Sequence, residues 1–119
     1  MSKMNIEIGE YIRTKDGIIA KLEDIQDEAY WFDIVIYCSY GEAIDFLTTE
    51  ELPKYIIKHS KNIIDLIEVG DYVNGKKVLQ KIGKFLEVSS CDIGNNRIYD
   101  YMIKSIVTKQ QFSNMEYRL

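Results

Sequence analysis

One short pattern occurs twice in this chain at nearly the same separation, and that repeat constrains the fold more than any other feature. Ile8-Gly9-Glu10-Tyr11-Ile12 returns as Val69-Gly70-Asp71-Tyr72-Val73. Leu47-Thr48-Thr49-Glu50-Glu51-Leu52 returns as Val107-Thr108-Lys109-Gln110-Gln111-Phe112. Two segments sharing nearly one separation imply an internal duplication of about 60 residues. A module of that size buries only about 60% of its unfolded surface, so two would gain by packing together. The expected modules are 1–60 and 61–119. Between the matching segments the halves align poorly, with Trp31-Phe32-Asp33 falling opposite Cys91-Asp92-Ile93. A single mixed β domain with coincidental similarity is the competing arrangement.

Alternation and turn chemistry make both halves β. Residues 6–15 read as a strand, Asp16-Gly17 as a hairpin turn and Ile18 to Ile25 as the returning strand, because glycine accepts the positive φ of a tight turn. Gln26-Asp27-Glu28 reads as a polar loop. In the aromatic run that follows, Phe32, Ile34, Ile36 and Cys38 share one face, and Trp31, Asp33, Val35 and Tyr37 share the other. Tyr40-Gly41-Glu42 turns the chain into a short strand, Ala43 to Leu47. Thr48 is expected to cap a helical turn that Pro53 ends, and Tyr55 to Lys58 closes the half.

The second half repeats the order. Ser60-Lys61-Asn62 caps an apolar turn over Ile63 to Ile67. Val69 to Val73 is a strand, Asn74-Gly75 a two-residue turn, Lys76 to Ile82 its partner and Lys84 to Ser89 the next strand. After Gly94-Asn95-Asn96, one long bent strand is expected from Arg97 to Val107. Thr108 then caps a second helical turn, and Met115 to Arg118 closes the unit.

Five short strands with a helical turn before the last is the order of an SH3-like small barrel. Gly9-Glu10-Tyr11-Ile12 and Gly70-Asp71-Tyr72-Val73 resemble the opening of KOW, Tudor and related SH3-like modules, in which Gly-Asp-x-Val begins the first strand. The chain as a whole is also similar to small proteins of low-GC Gram-positive bacteria and their phages. The expected fold is mainly β: two tandem SH3-like barrels packed together. No activity follows from either resemblance.

Composition narrows the function by exclusion. The formal charge of −4 argues against broad nucleic-acid binding, which rests on neutralising phosphates. Cys38 and Cys91 lie in no metal or redox motif, so buried reduced thiols are expected, with a Cys38–Cys91 disulfide as the alternative. Met1-Ser2-Lys3-Met4-Asn5 is not a signal peptide, and no apolar stretch approaches the ~20 residues of a membrane span, so the expected location is the cytoplasm. Isoleucine occurs 19 times and lysine outnumbers arginine 12 to 3. AT-rich genomes drift that way, which points to a low-GC bacterium or its phage.

Candidates for chemistry are few. His59 is the single histidine, and no nucleophile elbow, phosphate-binding loop or dinucleotide fingerprint is present. Asp24 with Asp27, and Glu50 with Glu51, are the carboxylate pairs, but the second is accounted for by capping and its counterpart is Gln110-Gln111. No catalytic, metal or cofactor site is therefore expected, and the chain reads as a non-enzyme. The candidate partner-binding residues are Tyr30, Trp31, Tyr37 and Tyr40, with Lys76 and Lys77 at the second hairpin. In SH3-like modules an aromatic groove near such loops binds peptides, and in Tudor-like modules an aromatic cage binds methylated cations. Internal packing of the aromatics and ordinary solvation of the lysines are the plainer readings. The expected function is binding of another protein. Its specific form would be a phage- or mobile-element-borne inhibitor of a host system such as CRISPR defence. A KOW-like RNA- or ribosome-associated module is the alternative.

Overall fold

The computed structural model describes residues 4–37, 43–89 and 96–115; at 35–37 and 113–115 it describes the backbone only. Tyr40 and both cysteines lie outside the described residues. The protein is mainly β, and the chain divides into two compact units, Met1–Leu66 and Ile67–Leu119.

The first unit contains β1 (Tyr11–Thr14), β2 (Ile19–Gln26), β3 (Ala29–Tyr37), β4 (Ala43–Thr48), α1 (Leu52–Tyr55), β5 (Ile56–Ser60) and a 3-10 turn at Ile63–Leu66. Its antiparallel sheet has the order β4-β3-β2-β1-β5. The second unit contains β6 (Tyr72–Val73), β7 (Lys76–Ile82), β8 (Phe85–Val88), β9 (Arg97–Tyr99), a 3-10 turn at Asp100–Met102, β10 (Ile106–Val107) and α2 (Lys109–Met115). Its sheet has the order β10-β6-β7-β8-β9, also antiparallel. Counted within each unit, both sheets run fifth, first, second, third, fourth.

The agreement extends to register. In the first unit Leu22 pairs with Phe32, Asp24 with Trp31, Ile25 with Tyr30 and Gln26 with Ala29. In the second, Val78 pairs with Val88, Gln80 with Glu87, Lys81 with Leu86 and Ile82 with Phe85. One common offset in residue number carries every pair of the first set onto the second. It also carries the register shift that bulges the strand at Glu23 onto the one at Leu79. A bulge adds one residue to one strand and bends it. The expected loop at Gln26-Asp27-Glu28 is instead a two-residue turn, with Asp27 and Glu28 at φ 49° and 67°. Positive φ at both central residues is what a tight hairpin turn requires.

The opening motif is the second shared device. Gly9 and Gly70 have φ 97° and 100°. Gly9 N–H donates to Leu22 O at 2.9 Å, and Gly70 N–H to Val78 O at 3.0 Å. These positive-φ turns delay the strands: β1 starts at Tyr11 and β6 at Tyr72, later than the alternation implied.

The separation seen in the sequence motifs does not hold along the chain. It is widest at the glycine turns, where Gly9 corresponds to Gly70. It is narrower in the central hairpin, where Leu22 corresponds to Val78. It narrows again from Leu47, the partner of Tyr30, to Ile98, the partner of Leu86. It is narrowest from Ser60, the partner of Tyr11, to Val107, the partner of Tyr72. Between matched pairs the second unit has fewer residues than the first, except across the central hairpin, where the spacing is equal. Thr48 therefore ends the fourth strand of its unit, whereas Thr108 follows the fifth. Their similarity is one of local turn chemistry and not of position.

Three further expectations are corrected. Pro53 lies in the first turn of α1 and opens it, because its missing N–H is one that no helical carbonyl would have accepted. The long strand over Arg97 to Val107 is broken by the 3-10 turn. Asp100 Oδ1 accepts Tyr101 N–H there at 2.7 Å. The Asn74 side chain holds the return, donating to Met102 O and accepting from Lys104 and Ser105 N–H. Met115 belongs to α2, and the rest of the expected closing segment, 116–118, lies outside the described residues.

Ile6, Ile12, Ala20, Leu22, Leu47, Leu52 and Ile56 form the core of the first unit, with Tyr30, Phe32 and Ile44 packed against it. Arg13 is fully buried, and its Nη1 donates to Leu66 O at 2.9 Å, tying the 3-10 turn to β1. Ile34, expected on the buried face, is 46% exposed, because the β3–β4 pairing shifts register between Trp31 and Ile36. In the second unit Val73, Val78, Leu86, Val88 and Ile98 are buried. Among the described residues, no helix is long and apolar enough to cross a membrane.

Candidate functional site

Residues directly opposite each other in an antiparallel pair project to the same face. Asp24, Trp31 and Phe46 are opposite one another across β2, β3 and β4 and form one row on the face away from Leu22, Tyr30 and Leu47. The Trp31 and Phe46 rings lie 4.9 Å apart, tilted by 37°. They are 38% and 41% exposed, so the pair is packed on itself and still open to solvent. Asp24 accepts Ile25 N–H at 2.9 Å and the Gln26 side-chain amide at 2.7 Å. Farther along β3, Asp33 accepts Lys21 N–H at 2.8 Å. Both carboxylates are thus fixed by local donors without being buried.

The expected aromatic cluster is only partly assembled. Tyr30 packs against the core, on the face opposite Trp31, because neighbours along a strand point to opposite sides. The Tyr37 side chain and Tyr40 lie outside what is described. Lys76 and Lys77 are on β7 in the second unit, opposite Val73 and Tyr72, and Lys77 is exposed.

The second unit carries a different surface on the same face. Its counterpart of the Asp24–Trp31–Phe46 row is Gln80–Glu87–Arg97. The adjacent row, Ile82–Phe85–Tyr99, is apolar where the first unit has Gln26–Ala29–Thr48. The Phe85 and Tyr99 rings are 5.6 Å apart, and Tyr101 stacks on Tyr99 at 5.9 Å while remaining 80% exposed. The Arg97 guanidinium lies 4.9 Å from the centre of the Phe85 ring. Sequence reasoning missed this strip; the alternation of Phe85 with Leu86 and Ile98 with Tyr99 was its only signal.

Several polar residues are accounted for by the fold. His59 Nδ1 lies 3.0 Å from Glu10 Oε1. Burial pushes the Glu10 carboxyl up, but the Glu7 amide, the His59 hydrogen bond and the charges of His59 and Lys61 together hold it below its ordinary value. Asp71 is fully buried and accepts Glu68 N–H at 2.7 Å and Lys109 N–H at 2.9 Å. Glu51 Oε1 accepts both the amide and the hydroxyl of Thr48 at 3.0 Å, so this hydroxyl donates instead of capping amides. Thr108 does cap, its Oγ1 accepting Gln111 N–H at 3.3 Å. Among the described residues, no group of three or more His, Cys, Asp or Glu side chains is placed to hold a metal ion.

The fold and its surfaces define a class: a mainly β protein with two five-stranded antiparallel sheets of one strand order, each presenting an aromatic pair on the face away from its core. Comparison with protein-family models, with curated proteins and with solved structures finds no match.

Proposed function

We propose that this chain acts by binding another protein through the Asp24–Trp31–Phe46 face of its first sheet, and not by catalysis. The observation that carries the reading is the cross-strand Trp31–Phe46 pair, fixed by strand register with each residue more than one-third exposed. Rigid aromatic pairs of this kind supply large contact area at little entropic cost, and tryptophan is enriched among residues that dominate interface energetics. The isoleucine and lysine bias supports an origin in a low-GC bacterium or its phage, and inhibition of a host system is the form such binding would take there.

The test uses the full chain with Trp31→Ala and Phe46→Ala variants. Proteins retained from a low-GC Gram-positive lysate are identified, and one is purified for direct titration. Each variant is expected to weaken binding by at least about 2 kcal/mol, roughly thirtyfold, while thermal unfolding shifts little. Binding within twofold of the unaltered chain would end the proposal.

A second reading rests on the Phe85–Tyr99–Tyr101 strip with Arg97. Ile67–Leu119 carries eight basic against six acidic residues, whereas Met1–Leu66 carries seven against thirteen. Stacked aromatics beside an arginine, on a unit with a small basic excess, suit single-stranded RNA. Submicromolar RNA binding at about 150 mM salt, lost in Tyr101→Ala, would move this reading to first place.

A further inference from the structure

We infer that the Asp24–Trp31–Phe46 row receives an arginine side chain presented by the partner protein. The inference rests on reading that face as a protein-binding surface and names the chemistry that it recognises. Its main support comes from the second unit. There Arg97 occupies the position that Phe46 holds in the first, directly opposite Glu87 and against the Phe85 ring at 4.9 Å. The outer face of the second sheet therefore already holds a guanidinium against an aromatic ring, supplied from within the unit.

In the first unit the same row has Asp24 in place of Gln80, Trp31 in place of Glu87 and Phe46 in place of the cation, so it joins a carboxylate to two aromatic rings. The one arginine of Met1–Leu66 is Arg13, which is buried and bonded to Leu66 O. The Lys21 ammonium lies 5.8 Å from the Tyr11 ring centre, over β1. A guanidinium on this row must then come from outside the unit.

The charge balance favours the same occupant. Seven basic against thirteen acidic residues give the first unit an excess of six negative charges. Such a surface repels phosphate and attracts a cationic protein segment. Arginine suits the geometry better than lysine. Its planar guanidinium stacks on an indole or phenyl face while its edge donates a pair of hydrogen bonds to a carboxylate. The row lies in from the Asp27-Glu28 turn, with Gln26–Ala29–Thr48 between, so the site is on the sheet and not on the loops.

Trp31 is the single tryptophan, so its fluorescence reports on this row alone. The full chain is titrated with hexa-arginine, hexa-lysine and hexa-glutamate peptides at about 150 mM salt. Hexa-arginine is expected to change Trp31 emission saturably, hexa-lysine to bind at least about fivefold more weakly, and hexa-glutamate to have no effect. Asp24→Asn with Asp33→Asn is expected to weaken hexa-arginine binding about tenfold with an unchanged circular dichroism spectrum. Equal responses to the two basic peptides, or no loss in the double variant, overturn the arginine assignment. If Trp31→Ala abolishes binding of the captured protein but hexa-arginine leaves Trp31 unchanged, the assignment falls and the protein-binding reading stands. If neither assay responds, both fall.

Discussion

Replacing Asp71 by alanine tests how the second unit is held together. The carboxylate is fully buried and accepts two backbone amides, from Glu68 at 2.7 Å and from Lys109 at 2.9 Å. Lys109 is the first residue of α2, so one side chain closes the turn before β6 and also anchors the helix. Each hydrogen bond to a charged group contributes about 1.5–3 kcal/mol, and alanine leaves both amides unsatisfied. Relief from burying a carboxylate offsets part of that loss. A net cost of about 3 kcal/mol is expected, most of what a core this small supplies. Amide hydrogen exchange reads it locally. Val78 N–H, which donates to Asp71 O at 2.7 Å, should exchange faster by roughly a hundredfold, since about 1.4 kcal/mol is a factor of ten. Asp71→Asn keeps one acceptor and should cost about half as much. An alanine variant within about 1 kcal/mol of the unaltered chain would refute the assignment of these two bonds as a structural anchor.

Two more outcomes follow from the fold. Because Glu10 is held below its ordinary 4.5, the folded state binds its proton less readily than the unfolded state does. Its contribution is complete above pH 4.5 and is lost as the pH falls through the lower folded value; acid titration of stability should show this decline, and Glu10→Gln should flatten it. Gly9→Ala and Gly70→Ala should each cost about 1–2 kcal/mol in urea unfolding, because both sites have φ near +100° and neither added Cβ approaches another atom closer than 3.5 Å. Unequal costs would show that something other than backbone strain acts at one of them.

Turns are the most legible part of the sequence. Asn74-Gly75 and the return over Lys76–Ile82 follow from the φ preferences of two residues, information that is local. Register is not legible. The bulges at Glu23 and Leu79 carry no composition signal, and they decide which residues stand opposite one another. The candidate site shows the consequence. Trp31 is identifiable because it is large and lies on the face opposite Phe32, but its partner Phe46 is on another strand and becomes its neighbour only through pairing. Adjacency groups Tyr30 with Trp31, yet in a strand it places two side chains on opposite faces. Phe85, Tyr99 and Tyr101 escape a linear reading for the same reason as Phe46: their proximity is made by the fold. The motifs overstate the length of the repeat because its separation holds across the central hairpin but shortens on either side of it, between the glycine turn and the last strand.

The matching registers of the β2–β3 and β7–β8 hairpins also bear on how the chain reaches its native pairing. Each of these strands has, in the same polypeptide, a second partner with the same bulge and the same spacing. Mispairing between similar modules is a characteristic hazard of multidomain chains. The two-residue turns at Asp27-Glu28 and at Gly83-Lys84 oppose it kinetically. A hairpin closes in about 1–10 μs, before segments from the two halves of the chain need to meet. The side chains oppose it as well. Exchanging β8 for β3 beside β4 would set Glu87 against Phe46 in place of Trp31, leaving a carboxylate against a phenyl ring. The divergence of the two outer faces thus separates the modules during folding, whatever each face binds afterwards.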